Sequence, residues 1–473
     1  MKGLIKTSYL FLLMVLAIFL IGCEMGGGGG STTVKAPVDF AINDTIISFT
    51  EVAGASKYRL EIRSTSDAGE VLRRYVENGD DLNSLNIPEG EYMIKIQAIN
   101  AKGDESEYSE ELPYKQKDLY AVSSIEGAKL IDGNYVKWMG RTSYNSTTQV
   151  NTMYYTAAGF EVKVQKLEEE LTLSATLTAT NYANNDKRPY MVFVLDNDFD
   201  NAITLSLTQA SQNIQIIGEG GFEVSDNLVH VVSVYKRSES IDSHVGLKAL
   251  ATSGRFIAGV TYKERKIEMI AASSSTGYGN LSNTTKTTAN SDGLKAFAFL
   301  TAQALNAEIN IVSASGWGIS ASRWTSPNTI NMHDRYKYVD VFSDELWDTN
   351  RFIPDVIITN FGTNDLSYIN IAANDTEKAA RRENFIATYV DFLKNLHQTY
   401  PNAQIIILYG LMNESGVYDD HTEIYNRAVE LVPNLVMYKI NGDAQGYNSH
   451  PSVASHRQIA DTLIANIKGL MNW

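Results

Sequence analysis

Four short segments hold the residue types that acyl transfer requires: Ser273-Ser274-Ser275-Thr276-Gly277-Tyr278-Gly279, Ser315-Gly316-Trp317-Gly318, Phe361-Gly362-Thr363-Asn364-Asp365 and His450-Pro451. Ester cleavage needs a hydroxyl nucleophile, a base to take its proton, and N–H donors for the oxyanion. A serine, a glycine with a free N–H, an asparagine amide and a histidine make up such a set. Singly, each has a plainer role. Serine is common in turns, glycine permits a left-handed turn, and asparagine caps a turn with its side chain. Of seven histidines, only His450 precedes a proline and opens the last helical stretch. His456 falls inside that stretch and suits packing or capping. The combination points to acyl transfer; no single member does.

The elements around these segments would bring them together. Apolar strand-like runs at 266–271, 307–313, 355–360, 404–409 and 434–440 alternate with helical patterns at 294–305, 378–400, 423–431 and 454–467. In the last of these, Ile459, Ala460, Leu463 and Ile467 recur at helical spacing and form one buried stripe. Five buried strands alternating with helices imply a parallel sheet covered on both faces. In open sheets of this kind ligands bind beyond the carboxyl ends of the strands. The four segments follow strands one, two, three and five, so the fold places all of them on one edge.

Two β-rich blocks precede this α/β block. Residues 36–117 alternate in short runs with turn signals at Gly54, Gly79-Asp80 and Pro88-Glu89-Gly90, which predicts a small antiparallel sandwich. Residues 118–258 carry longer alternating strands and few helical signals, which predicts a larger sandwich such as a jelly roll. Its Asp196-Asn197-Asp198-Phe199-Asp200 run invites a calcium reading. An EF-hand loop would need Gly where Asn201 stands and an acid where Leu207 stands, so a solvated hairpin turn fits better.

Composition narrows the partners. At about 150 residues per domain, 473 residues suggest three domains. The net charge of −15, with no basic block, speaks against nucleic acid or an anionic lipid surface. The single cysteine, Cys23, rules out a disulfide within the chain and a Cys-based metal site. That cysteine closes an N-terminal leader. Lys2 and Lys6 precede an apolar run at 10–21, too short for a span of ~20 residues but suited to a secretory signal. The Leu20-Ile21-Gly22-Cys23 ending resembles a bacterial lipobox, which implies a signal peptide at 1–22 and lipidation of Cys23. A Gly-rich tether at 23–35 follows. The expectation is an envelope lipoprotein outside the cytoplasm, touching the membrane only through its anchor.

On the four segments, residues 259–473 resemble an SGNH (GDSL-type) hydrolase, a three-layer flavodoxin-like fold. The name-giving residues would be Ser273, Gly316, Asn364 and His450. Lys266-Ile267-Glu268-Met269-Ile270 before the serine turn, and Leu305-Asn306-Ala307 before Ser315-Gly316, resemble carbohydrate esterase family 2. So do Gly140-Arg141 and Val234-Tyr235-Lys236-Arg237-Ser238-Glu239 in the preceding sandwich. Residues 87–98, with Phe49, Gly54 and Tyr58, resemble a fibronectin type III domain. The esterase resemblance implies deacetylation of polysaccharides such as xylan or glucomannan, without metal or cofactor. Ser273 would be the nucleophile and His450 the base. The Ser273 and Gly316 N–H groups and the Asn364 amide would form the oxyanion hole, with Trp317 and Asp365 as possible cleft residues; Trp317, Trp324 and Trp347 are read either as core or, for one of them, as lining a sugar cleft.

Two positions depart from the family pattern. The Gly-Asp-Ser turn reads Ala271-Ala272-Ser273, and Tyr447 stands where an Asp usually orients the histidine. Asp443 would reach His450 only if the loop folds back, so a Ser–His dyad held by a backbone carbonyl is expected. Two alternatives stay open: a carbohydrate-binding protein that has lost catalysis, and an esterase of the cell's own O-acetylated envelope polymers.

Overall fold

The computed structural model describes residues 34–473 apart from Asp44, 67–70, Asn86, Glu89, 117–120, 168–169 and Asn413. The signal segment, Cys23 and most of the tether lie outside the described residues. The chain divides into two compact units, 1–120 and 121–473.

In the first unit, Val71–Val76, Ala55–Ser64, Gly90–Asn100 and Leu112–Gln116 form a four-stranded sheet in that order, with a two-stranded sheet of Val38–Asn43 and Ile46–Thr50. Every pairing is antiparallel. Alternation sorts the side chains. Leu60, Ile62, Ile94 and Ile96 meet Ile47 and Phe49 in one core, while Glu61 between them pairs with Arg73.

The second unit begins with two antiparallel six-stranded sheets. One runs Ser211–Ile217, Leu173–Ala179, Val245–Thr252, Val150–Met153, Thr142–Asn145, with Ser124–Glu126 also on Val245–Thr252. The other runs Ile203–Ser206, Tyr190–Leu195, Val229–Lys236, Gly159–Gln165, Arg255–Phe256, with Val136–Met139 also on Gly159–Gln165. Their facing side chains, among them Phe160, Leu177, Phe193 and Leu247, make one core. The acidic run after Leu195 is a turn: Asp196 and Asn197 are left-handed, Asp198 holds Asn201, and Asp196 meets His230 at 2.7 Å.

The parallel sheet follows. Its strands are β1 (Arg265–Ala271), β2 (Ala307–Ser313), β3 (Val356–Asn360), β4 (Gln404–Tyr409) and β5 (Leu435–Lys439), in spatial order β2-β1-β3-β4-β5. The helices are α1 (Phe297–Ala304), α2 (Thr363–Ile369), α3 (Asp375–Thr399), α4 (Tyr418–Ala428) and α5 (Val453–Met471). Residues from α3 and α4 pack in one core cluster and residues from α1 and α5 in another, so apolar strands are covered on both faces. The sequence pattern placed the strands to within one residue at each end. It had no signal for α2, whose seven residues open with polar Thr363-Asn364-Asp365 and are too few to show a period.

The sandwich is built onto this sheet. Tyr190–Leu195 has four consecutive buried residues because its outer face also packs, with Val192 and Val194 in the same cluster as α1. Phe299 of α1 meets Tyr235 and Phe199 at ring separations of 5.4 and 5.7 Å. Arg141 is fully buried. Its guanidinium donates to the Tyr336 and Tyr338 carbonyls and lies 3.4 Å from Glu268 on β1.

Candidate active site

Ser273 follows β1 directly, at the start of a single helical turn, Ser273–Thr276. An N–H at a helix start has no acceptor within the helix, so the Ser273 N–H is left for a ligand. The neighbouring serines brace the turn. Ser274 Oγ donates to Asn360 Oδ1 at 2.6 Å at the end of β3. Ser275 Oγ meets Ser313 Oγ at 2.7 Å at the end of β2. These ties hold the loop without the acid that Ala272 replaces.

His450 comes from the loop before α5. Its Nε2 lies 2.7 Å from Ser273 Oγ and its Nδ1 2.8 Å from the Tyr447 carbonyl. A carbonyl can only accept, so Nδ1 carries the proton and Nε2 is free to accept the serine's. Asn448 and Ser449, both left-handed with φ of 49° and 63°, fold the chain back so that this carbonyl faces the ring. Tyr447 N donates to the Gly279 carbonyl at 3.1 Å. A Cβ at Gly279 would lie 2.4 Å from Tyr447 Cβ, so the approach requires glycine there. The Tyr278 ring lies 4.5 Å from the imidazole. Burial pushes the His450 pKa below its ordinary 6.5, only partly countered by the Tyr447 carbonyl. The ring is therefore neutral at pH 7, as a base must be. Asp443 does not reach it; its carboxylate takes the backbone N–H and hydroxyl of Ser452, the cap of α5.

Gly316 lies in the turn after β2 and is left-handed, with φ of +82°. Asn364, in the first turn of α2, donates from Nδ2 to the Trp317 carbonyl at 2.9 Å. An amide has two hydrogens, so one stays free while the other fixes the group. Ser273, Trp317 and Asn364 line one small pocket of about 10 Å3, room for about one water molecule. A cavity of about 620 Å3 lies at the other end of the sheet beside Lys266 and Glu308 and contains none of these residues.

No family model matches the chain. A cellulase/esterase of Acetivibrio thermocellus is 30% identical over 257 residues, which cover 52% of this chain and 30% of that protein. An acetylxylan esterase/glucomannan deacetylase of Cellvibrio japonicus is 26% identical over 347 residues, 72% of this chain and 90% of that one. Residues covering 75% of the chain superpose on 99% of an acetyl xylan esterase from the rumen bacterium Butyrivibrio proteoclasticus, with a TM-score of 0.63 at 21% identity. The chain belongs to carbohydrate esterase family 2.

Within this family 2 chain, two residues expected in the cleft behave differently. Asp365 is 1% exposed, and its carboxylate accepts from the N–H groups of Ile319, Ser320 and Ala321 and from Ser320 Oγ. It braces the loop beyond Gly316 and does not face a substrate, because the first turn of α2 aims it inward. Trp317 is 4% exposed and packs edge-on against Phe342, so it walls the small pocket and offers no open sugar face. Trp347 is buried beside Arg141 and Arg351. Trp324 is the exposed tryptophan of the three, 59% accessible, with Arg323 over its ring and its Cβ 3.4 Å from where a Gly316 Cβ would stand. His456 is buried, accepts from Phe297 N at 3.3 Å and is pushed down to about 3 by burial, so it packs as a neutral ring.

Sequence reasoning passed over Asn360, Ser313 and Tyr278. Asn360 and Ser313 end strands at the carboxyl edge, a position that could have flagged them. Tyr278 sits inside the quoted serine segment, but nothing in that segment indicates a partner 172 places along the chain.

Proposed function

We propose that the protein is a serine esterase that removes O-acetyl groups from polysaccharides of the xylan or glucomannan type. The observation that carries this is the Ser273–His450–Tyr447 chain, with contacts of 2.7 and 2.8 Å. Ser273 Oγ attacks the acetyl carbonyl carbon as its proton passes to His450 Nε2. The carbonyl oxygen gains charge facing the N–H groups of Ser273 and Gly316 and the free hydrogen of Asn364. The tetrahedral species then collapses, and the sugar oxygen leaves with the proton from Nε2. Water, deprotonated by the same nitrogen, attacks the acetyl-serine, releasing acetate and restoring Ser273. The Tyr447 carbonyl fixes the tautomer that a triad carboxylate would fix, a role worth about 10⁴ in serine proteases.

The acetylxylan and glucomannan activities named for the Cellvibrio japonicus relatives support the substrate class. So does a family two esterase of Clostridium thermocellum, solved with cellohexaose (TM-score 0.60, 22% identity, 72% of this chain). Trp324 offers a ring face for a pyranose beside Gly316. We read 36–117 as fibronectin type III-like, 118–258 as a jelly roll and 259–473 as the SGNH hydrolase, carried by a Cys23 lipid anchor on the outer side of a bacterial membrane. The test is acetate release from acetylated xylan and acetylated glucomannan, beside O-acetylated peptidoglycan. Faster release from the plant-type polymers is expected; release from peptidoglycan alone would assign the enzyme to the cell's own wall.

A further inference from the structure

The sandwich segment 234–243 reaches the catalytic edge, and the mechanism above makes no use of it. Glu239, 4% exposed, accepts the Ser315 N–H at 3.0 Å, one residue before Gly316. Glu239 is itself held firmly. Lys236, fully buried, donates from Nζ to the carbonyls of Ser238 and Glu239 at 2.6 and 3.1 Å. The other carboxylate oxygen lies 3.6 Å from Lys286 Nζ, which also donates to both Asp242 oxygens at 2.7 and 2.6 Å. Lys286 stands 5.1 Å over the Tyr278 ring, whose neighbour is His450. Arg237 donates to the Thr288 and Ala289 carbonyls, fastening the loop that carries Lys286.

We propose that Glu239 is a positioning residue for the oxyanion hole: the sandwich domain, through this carboxylate, sets the peptide that presents the Gly316 N–H. The inference rests on the esterase reading above. Two successive N–H groups leave the Ser315-Gly316 turn, and Glu239 takes the first. The second is thereby kept out of intramolecular bonding and pointed at the edge where Ser273 stands. A left-handed glycine turn has several accessible orientations, and a buried hydrogen bond to the neighbouring N–H selects one. The sandwich, which lies in one compact unit with the α/β sheet, is thus part of the catalytic apparatus.

The test compares Glu239→Gln, Glu239→Ala and Glu239→Asp with the parent protein on p-nitrophenyl acetate, with thermal melts of each. Gln keeps an oxygen acceptor for the Ser315 N–H, so it retains most of the parent kcat. Ala removes the acceptor and lowers kcat about 10- to 100-fold at little-changed KM, short of or equal to the loss of a whole oxyanion donor. Asp withdraws the acceptor by one methylene and falls between them, and it serves in place of Ala if that variant does not fold. Equal losses for Gln and Ala would show that charge, not the acceptor, matters, and would overturn the proposal. So would a folded Ala or Asp variant with parental kcat, or losses confined to KM. A folded parent without turnover would instead overturn the esterase reading itself.

Discussion

The asparagine of the oxyanion hole gives the sharpest quantitative expectation. Asn364 is 9% exposed, and one of its amide hydrogens is fixed on the Trp317 carbonyl at 2.9 Å, so the other enters the reaction already oriented. Replacing it with alanine removes a preorganised donor from a desolvated site. Such a loss costs about 10²–10³ in kcat, or about 2.7–4 kcal/mol of transition-state stabilisation. KM should change little, because the ground-state carbonyl carries little of the charge that the donor stabilises. Asn364→Asp should be worse than alanine: it cannot donate when ionised, and it sets a negative charge against the developing oxyanion. Both variants orphan the Trp317 carbonyl, a separate stability cost of about 1–3 kcal/mol that a denaturant melt reads independently. The assay is steady-state hydrolysis of p-nitrophenyl acetate. A folded Asn364→Ala variant that loses less than about tenfold in kcat, or loses only in KM, would refute the assignment.

Further expectations follow from the same geometry. Because burial holds the His450 pKa below 6.5, the acid limb of kcat/KM should have its midpoint below 6.5; a midpoint above it would contradict a buried, carbonyl-held base. His456 binds its proton near 3 when folded and near 6.5 when unfolded, so the unfolded chain takes up more protons between these values. Its contribution to stability is full above about 6.5 and is lost as the pH falls toward 3. Melts of His456→Asn should therefore show a shallower loss of stability over that window than the parent.

The sequence carried the parallel sheet well because strands buried on both faces are unbroken apolar runs, which survive without knowledge of tertiary contacts. β2 and β4 match the expected 307–313 and 404–409 to the residue. Ser273, Asn364 and His450 were legible by the same logic, since each follows a strand or opens a helix at the carboxyl edge. What was not legible depends on long-range contact. Asp365 reads as an exposed acid beside the site; only the fold shows four donors from the Ile319–Ala321 loop around it. A backbone carbonyl behind His450 was expected from the missing carboxylate at 447; that it is the carbonyl of Tyr447 itself has no residue-type signature. Glu239 was visible only as part of a motif, because its partner Ser315 lies 76 residues away. The Ala272 substitution looks damaging in sequence and less so in structure, where Ser274 and Ser275 tie the turn to the ends of two strands.

The central claim is that Ser273, activated by His450, is the nucleophile of an acetyl esterase. The most direct test is hydrolysis of p-nitrophenyl acetate by the parent protein beside Ser273→Ala, with both checked for folding. Turnover by the parent, and none above background by the variant, is the predicted result. A folded parent that is as inert as the variant, or a variant as active as the parent, would contradict it.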